Sequence, residues 1–235
     1  DYGTDFYAAQ SWSDTPDGRR IWLAWMNNWK YARAVPTETW RGGMTLPREL
    51  QLTRTAEGIR LAQQPITELT HYRGRHWSLS NVMAAPRATF LTNIQADTLE
   101  IIVTFRLAKG GKNGRIGFKV RVGDQEETPI GYNTDNQTVF IDRTKSGRTE
   151  FSPYFSSIQT APYIPTHNQL TFHIIVDRTS VELLVDGGIL SLTTQIFPKV
   201  SSTGIAFLLD QGEVHIEQLD IYHLQPHAQT DSHQT

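Results

Sequence analysis

The sequence predicts an all-β protein in which a small four-stranded, blade-like sheet precedes an antiparallel β-sandwich. Two observations lead there. Short strands punctuated by Gly, Pro and Asp turns fill residues 1–65, and longer segments with two-residue alternation fill residues 76–224.

In chain order, residues 5–13 and 20–25 read as two strands of a hairpin around Asp14-Thr15-Pro16-Asp17-Gly18. A second pair, 49–54 and 59–63, flanks the turn Thr55-Ala56-Glu57-Gly58. Four such strands match a propeller blade, whose faces are ordinarily buried against neighbouring blades, and no repeat of the unit follows. Residues 66–75 form a polar linker with some helical character. Beyond it, Leu99, Ile101, Val103, Phe105 and Leu107 alternate with polar residues, as do Ile116, Phe118, Val120 and Val122. The period recurs at Leu170, Phe172, Ile174 and Val176, and after Asp177-Arg178-Thr179-Ser180 at Val181, Leu183 and Val185. Strands at 139–142, 204–209 and 214–222 complete enough alternating segments for two packed sheets. The polar tail 225–235 is expected to be disordered.

Composition narrows the function. In 235 residues, 38% are apolar and 20% charged, the balance of a soluble globular chain, and no apolar run is long enough to span a membrane. A formal charge of −2 with scattered Lys and Arg argues against a nucleic-acid partner. The absence of cysteine excludes disulfides, thiolate metal sites and a cysteine nucleophile. The dispersed histidines form no helical zinc motif, so no metal or other cofactor is expected.

A neutral, hydroxyl-rich ligand fits better. Tyr2, Phe6, Tyr7, Trp12, Trp22, Trp25, Trp29, Tyr31 and Trp40 crowd one short segment beside Asp1 and Asp5. Aromatic faces pack on the C–H faces of sugars, and carboxylates accept hydrogen bonds from sugar hydroxyls; the same rings also serve as ordinary filling between blades. Asp14 and Asp17 sit in a turn and read as structural, as does Glu49 beside Arg48, whereas Asp1 and Asp5 remain available as polar ligands.

These residues resemble a known family. Asp1-Tyr2-Gly3-Thr4-Asp5-Phe6-Tyr7-Ala8, Trp25-Met26-Asn27-Asn28-Trp29-Lys30-Tyr31, Val35-Pro36-Thr37 and the run Trp40-Arg41-Gly42-Gly43-Met44-Thr45-Leu46-Pro47-Arg48-Glu49-Leu50 look like the late propeller motifs of glycoside hydrolase family 32, in levanases and exo-inulinases. Val176-Asp177-Arg178-Thr179-Ser180-Val181-Glu182, Asp186-Gly187-Gly188 and Ile196-Phe197-Pro198 are similar to its C-terminal sandwich signature.

The resemblance implies the last blade of a five-bladed propeller followed by the sandwich, and a parent enzyme that releases fructose from levan, inulin or sucrose with retention. It implies a missing N-terminal propeller portion as the necessary partner, a fructan or sucrose as ligand, and a secreted or periplasmic location. No catalytic residue is assigned. Asn28 stands where the nucleophilic Asp of a Trp-Met-Asn-Asp-Pro-type motif would be, and a carboxamide cannot form the glycosyl ester. The Glu-Cys and Arg-Asp-Pro motifs are also absent, so the chain alone is expected to be inert. The resemblance assigns substrate binding to Asp1 and Trp29, while the run Trp40 to Leu50 reads as structural, with Arg41 and Arg48 tying loops to strands. Asp177-Arg178 reads as a turn device, and Asn136-Gln137-Thr138 is a glycosylation sequon. Two alternatives remain: a non-catalytic carbohydrate-binding module, with Trp77, Tyr132, Tyr154 and Tyr163 as platforms, and a structural or oligomerising sandwich.

Overall fold

The computed structural model describes residues 1–56 and 58–225, so Glu57 of the second turn and the tail from 226, expected to be disordered, lie outside the described residues. The fold is all-β, with one blade-type sheet and a two-sheet sandwich.

The first sheet contains β1 (Tyr7–Ser11), β2 (Ile21–Met26), β3 (Gly43–Met44), β4 (Arg48–Thr55) and β5 (Gly58–Pro65). Its order is β1-β2-β4-β5, with β3 beside β2, and all pairings are antiparallel. The first hairpin closes through local bonds. Thr15 donates to Arg19 O at 2.5 Å, the Arg19 amide donates to Asp17 Oδ1 at 3.1 Å, and Gly18 adopts φ 73°. Asp17 therefore serves the turn. Arg19 also bonds Glu68 at 2.6 and 3.0 Å, tying the hairpin to a 3-10 turn at Thr67–Tyr72 that leads into the sandwich.

The sandwich contains β6 (Arg73–Ala84), β7 (Leu99–Arg106), β8 (Arg115–Gly123), β9 (Glu126–Asn133), β10 (Thr138–Asp142), β11 (Ile158–Pro162), β12 (Gln169–Asp177), β13 (Ser180–Val185), β14 (Leu190–Gln195), β15 (Gly204–Leu209) and β16 (Val214–Leu224). One sheet runs β11-β10-β9-β8-β15 and the other β14-β13-β12-β7-β16-β6. Alternation decides which side chains meet between them. Leu99, Ile101, Val103 and Phe105 of β7 face Ile116, Phe118 and Val120 of β8, and the Phe105 ring lies 6.0 to 6.4 Å from those of Phe118, Phe172 and Phe207.

The strand patterns read in the sequence do not include β3, β6, β9, β11 or β14. In β9, Pro129 and Gly131 interrupt the pattern, yet Gly131 is required: a Cβ there would lie 2.1 Å from Ile116 O across the ladder. β14, Leu-Ser-Leu-Thr-Thr-Gln, is buried along its whole length. Leu190 and Leu192 belong to the core, while Ser191 and Thr193 lie against the blade and bond Asp1.

The blade docks on β13 and β14 so closely that two glycines are obligatory. A Cβ on Gly3 would sit 2.0 Å from Thr193 O, and one on Gly188 would sit 1.8 Å from Gln63 O. Neither contact tolerates a side chain.

Candidate functional site

Two features of the blade can act on a ligand or hold the site that does: an exposed aromatic wall and a charged seam against the sandwich.

The wall is built from Tyr7 on β1, Trp25 on β2 and Trp29 in the turn that follows β2. Trp25 and Trp29 centroids are 5.0 Å apart, and Tyr7 meets both rings edge-on at 6.0 and 6.3 Å. Trp29 remains 65% exposed and Tyr7 49%, so both present ring surface to solvent. The turn is braced by Asn28. Its Oδ1 accepts from the Lys30 amide at 3.0 Å, its Nδ2 donates to Thr4 O at 2.8 Å, and its carbonyl accepts from Tyr31 and Ala32. The carboxamide thus uses its donor and its acceptor at once, which a carboxylate could not do. Gly42 (φ 71°) lets the following loop pass Trp25, since a Cβ there would lie 2.4 Å from Nε1.

The seam holds two buried ion networks. In the first, Arg48, with no exposed surface, donates to Glu182 Oε2 at 3.1 and 2.5 Å, Asp1 Oδ2 at 3.0 Å, Gln63 Oε1 at 2.7 Å and Thr193 Oγ1 at 2.6 Å. In the second, Arg143 donates to Asp5 Oδ2 at 2.7 Å, to Thr194 Oγ1 and the Tyr31 hydroxyl at 3.0 Å, and to Phe155 O at 2.6 Å. The Tyr31 hydroxyl in turn donates to Asp5 Oδ1 at 2.5 Å, and the Gln195 amide donates to Oδ2 at 2.8 Å. Burial, followed by the Asp5 carboxylate, pushes the Tyr31 phenol up to about 12, so it stays a donor across the physiological range.

The structure places the two expected substrate-binding residues apart in environment. Trp29 lies on the exposed wall. The Asp1 carboxylate is turned into the seam, where Gly3 N, Thr193 N, Thr193 Oγ1, Ser191 Oγ and Arg48 all donate to it. Asp5, read as an available polar ligand, is 0% exposed and belongs to the Arg143 network instead. Arg41 holds its own loop, donating to Val35 O and Thr37 O. Arg48 joins blade to sandwich rather than loop to strand. Asp177 accepts from the Arg178 amide at 2.7 Å in the β12–β13 turn.

The four aromatic platforms proposed for the sandwich do not form one surface. Tyr132 is 3% exposed and donates to Tyr163 O, Tyr163 donates to Asp186, and Trp77 packs on the core with Arg75 over its ring. Only Tyr154 is well exposed, at 63%.

A cleft of about 1210 Å³ follows the seam, lined by Trp40, Leu46 and Ile66 on the blade side and by Asp177, Arg178 and His223 on the sandwich side. Its other carboxylates are held by cations: Glu68 by Arg19, Asp97 by Arg178 and Glu182 by Arg48. Glu68 and Asp97 are poorly placed for proton transfer, because the adjacent guanidinium holds each carboxyl below its ordinary range. Among the described residues no group of three or more His, Asp or Glu could hold a metal ion, and no helix is long and apolar enough to cross a membrane.

Comparison with known proteins agrees with this architecture. The chain is 40% identical over 228 residues to the levanase of Bacillus subtilis, covering 95% of this chain and 34% of the relative. It is 29% identical over 226 residues to the extracellular exo-inulinase of Aspergillus niger, covering 95% of this chain and 42% of the relative. The crystal structure of exo-inulinase from Aspergillus awamori superposes with a TM-score of 0.84 at 29% identity, over 97% of this chain and 44% of that one. The fructan 1-exohydrolase IIa of Cichorium intybus, at 18% identity and a TM-score of 0.77, shares the fold. The chain therefore spans less than half the length of these relatives. Residues 1–65 match the family 32 glycosyl hydrolase N-terminal domain and residues 68–223 its C-terminal domain, so the chain belongs to glycosyl hydrolase family 32.

Proposed function

We propose that this chain is part of a fructan-cleaving glycoside hydrolase, in which the blade supplies one wall of the fructosyl pocket and the sandwich buttresses it. The observation that carries this reading is the exposed Tyr7–Trp25–Trp29 cluster, braced by Asn28, in a chain of family 32 whose relatives are named levanase and exo-inulinase. Trp29 presents its ring to the apolar face of the furanose. Rigid indole faces suit this task because little rotamer entropy is lost on binding. Asp1 contributes by fixing the entry of β1 onto the sandwich. Direct bonding of Asp1 to a sugar hydroxyl, the role the resemblance implies, would require it to give up donors it already holds.

The reaction is retaining hydrolysis at β-fructofuranosyl bonds of levan, inulin or sucrose, with the nucleophile, acid and transition-state stabiliser carried by the remainder of the propeller. That remainder is the required partner. It is favoured by the apolar surface of the blade, where Leu52, Ile59 and Leu61 are 76, 61 and 44% exposed, because a blade ordinarily buries such a surface against its neighbour. The extracellular label of the exo-inulinase relatives and the size of a polymeric substrate favour a secreted or periplasmic enzyme.

The test is a comparison of the isolated chain with the protein translated from the whole reading frame. The full protein releases fructose from levan, inulin or sucrose, and the isolated chain releases none. Fructose release by the isolated chain, or none by the full protein, overturns the proposal.

A further inference from the structure

Beside the Trp29 turn, the sandwich contributes one aromatic ring of its own. Tyr154 sits in the connection between β10 and β11, and its ring is 63% exposed. The Lys30 ammonium, adjacent in sequence to Trp29, lies 6.0 Å from its centroid. The turn that carries Trp29 therefore meets the sandwich at Tyr154, through the side chain of the next residue, Lys30.

The loop that carries Tyr154 is rigid for stated reasons. Phe155 is fully buried, stacks under the Arg143 guanidinium at 3.9 Å, and gives its carbonyl to Arg143 Nε at 2.6 Å. Phe151 and Phe155 pack on the Tyr31 ring at 6.5 and 5.3 Å, and the Tyr154 amide donates to Ser152 Oγ at 3.3 Å. Tyr31 follows Lys30 directly, so the same network that docks the sandwich also sets the position of Tyr154 relative to Trp29. The backbone that carries Tyr154 is thus fixed while its ring stays exposed beside Lys30, an arrangement that suits a stacking surface.

We propose that Tyr154, with Lys30, forms an outer subsite for fructosyl units beyond the one held at Trp29, so that the sandwich discriminates polymeric from disaccharide substrate. The Tyr154 ring offers its face to a furanose, and the Lys30 ammonium donates to its hydroxyls. The inference rests on the reading of the Trp29 wall as the fructosyl site.

The test uses the full-length parent enzyme, with kcat/KM measured on the polymer it cleaves best and on sucrose. Tyr154→Ala lowers kcat/KM for the polymer about fivefold, the scale of one lost aromatic contact, and leaves sucrose within about twofold. Tyr154→Phe keeps the polymer rate, because the ring remains. Thermal unfolding of Y154A stays with the wild type, since so exposed a ring adds little to stability. An unchanged polymer-to-sucrose ratio in Y154A, or an equal loss in Y154A and Y154F, overturns the subsite. A wild-type parent that releases no fructose from any substrate overturns instead the fructosyl reading on which it rests.

Discussion

Replacing Arg143 with Met tests whether the blade is held to the sandwich by charge. The Arg143–Asp5 pair is fully buried, and its partners come from both sides of the seam: Asp5 and Tyr31 from the blade, Thr194, Gln195 and Phe155 from the sandwich. Removing the guanidinium leaves the Asp5 carboxylate buried with two close donors, the Tyr31 hydroxyl at 2.5 Å and the Gln195 amide at 2.8 Å. Breaking a buried pair from one side costs about 3–5 kcal/mol, and the surviving donors place this case near the lower end. The charge-free double variant Asp5→Leu/Arg143→Met loses the attraction and the desolvation penalty together, so its destabilisation is smaller than the sum of the two single variants even though the Tyr31 hydroxyl and the Gln195 amide lose their acceptor. Five of the six tryptophans (Trp12, Trp22, Trp25, Trp29 and Trp40) lie in the blade segment, so fluorescence reports the blade while far-UV circular dichroism is dominated by the sandwich strands. In a urea titration, Arg143→Met shifts the fluorescence transition to lower urea, ahead of the dichroism transition. A double variant as unstable as the sum of the two single variants, or coincident transitions in Arg143→Met, refutes the reasoning.

Three further outcomes follow from the same contacts. Gly3→Ala forces a methyl group to within 2.0 Å of Thr193 O and lowers stability by about 2–3 kcal/mol in the same titration, whereas alanine at Gly43, which has open space around it, changes little. Burial pushes Glu100 upward, but its bonds to Arg73 at 2.6 and 2.8 Å and to His173 at 2.7 Å outweigh this and hold it at about 2, below its ordinary 4.5. The folded pKa is depressed, so this stabilisation is present above about pH 4.5 and is lost as pH falls toward 2. Wild type then loses about 2 kcal/mol over that window that Glu100→Gln does not, allowing for solvent at the partly exposed Arg73 and His173. In the full-length enzyme, Trp29→Ala lowers kcat/KM on every fructoside at least tenfold, about 1.4 kcal/mol, while the loss of its contacts with Trp25 and Tyr7 lowers stability only modestly, by about 0.5–1.5 kcal/mol; a kcat/KM equal to wild type sinks the assignment of the wall.

The legible part of this protein is the part written in local patterns. Alternation at Leu99 to Phe105 and at Leu170 to Val176 marks core strands, because a pleated strand sends successive side chains to opposite faces. The Asp17 turn and the Arg178-Thr179 hairpin follow from turn chemistry within four or five residues. The motif residues identify the family because they are unusual combinations, but motifs do not say what each side chain touches. Asp1 and Asp5 stand four residues apart in one aromatic segment and read alike as sugar ligands, yet both are directed into the seam.

Only the tertiary structure settled that, since a carboxylate's role depends on partners the sequence does not place beside it. Arg48 is 47 residues from Asp1 and 134 from Glu182, and Arg143 is 138 from Asp5. β14 escaped notice for the same reason: its Ser191 and Thr193 face looks solvent-directed until the blade covers it. Lys30 and Tyr154, far apart in the chain and on different domains, become neighbours only once both networks have closed. The sequence by itself determined strands, turns and family, through interactions that decay within a few residues. The docking of blade on sandwich, and with it the division between buried ion pairs and exposed rings, was decided by long-range packing, where burial sets which polar groups must find partners and which remain free to meet a ligand.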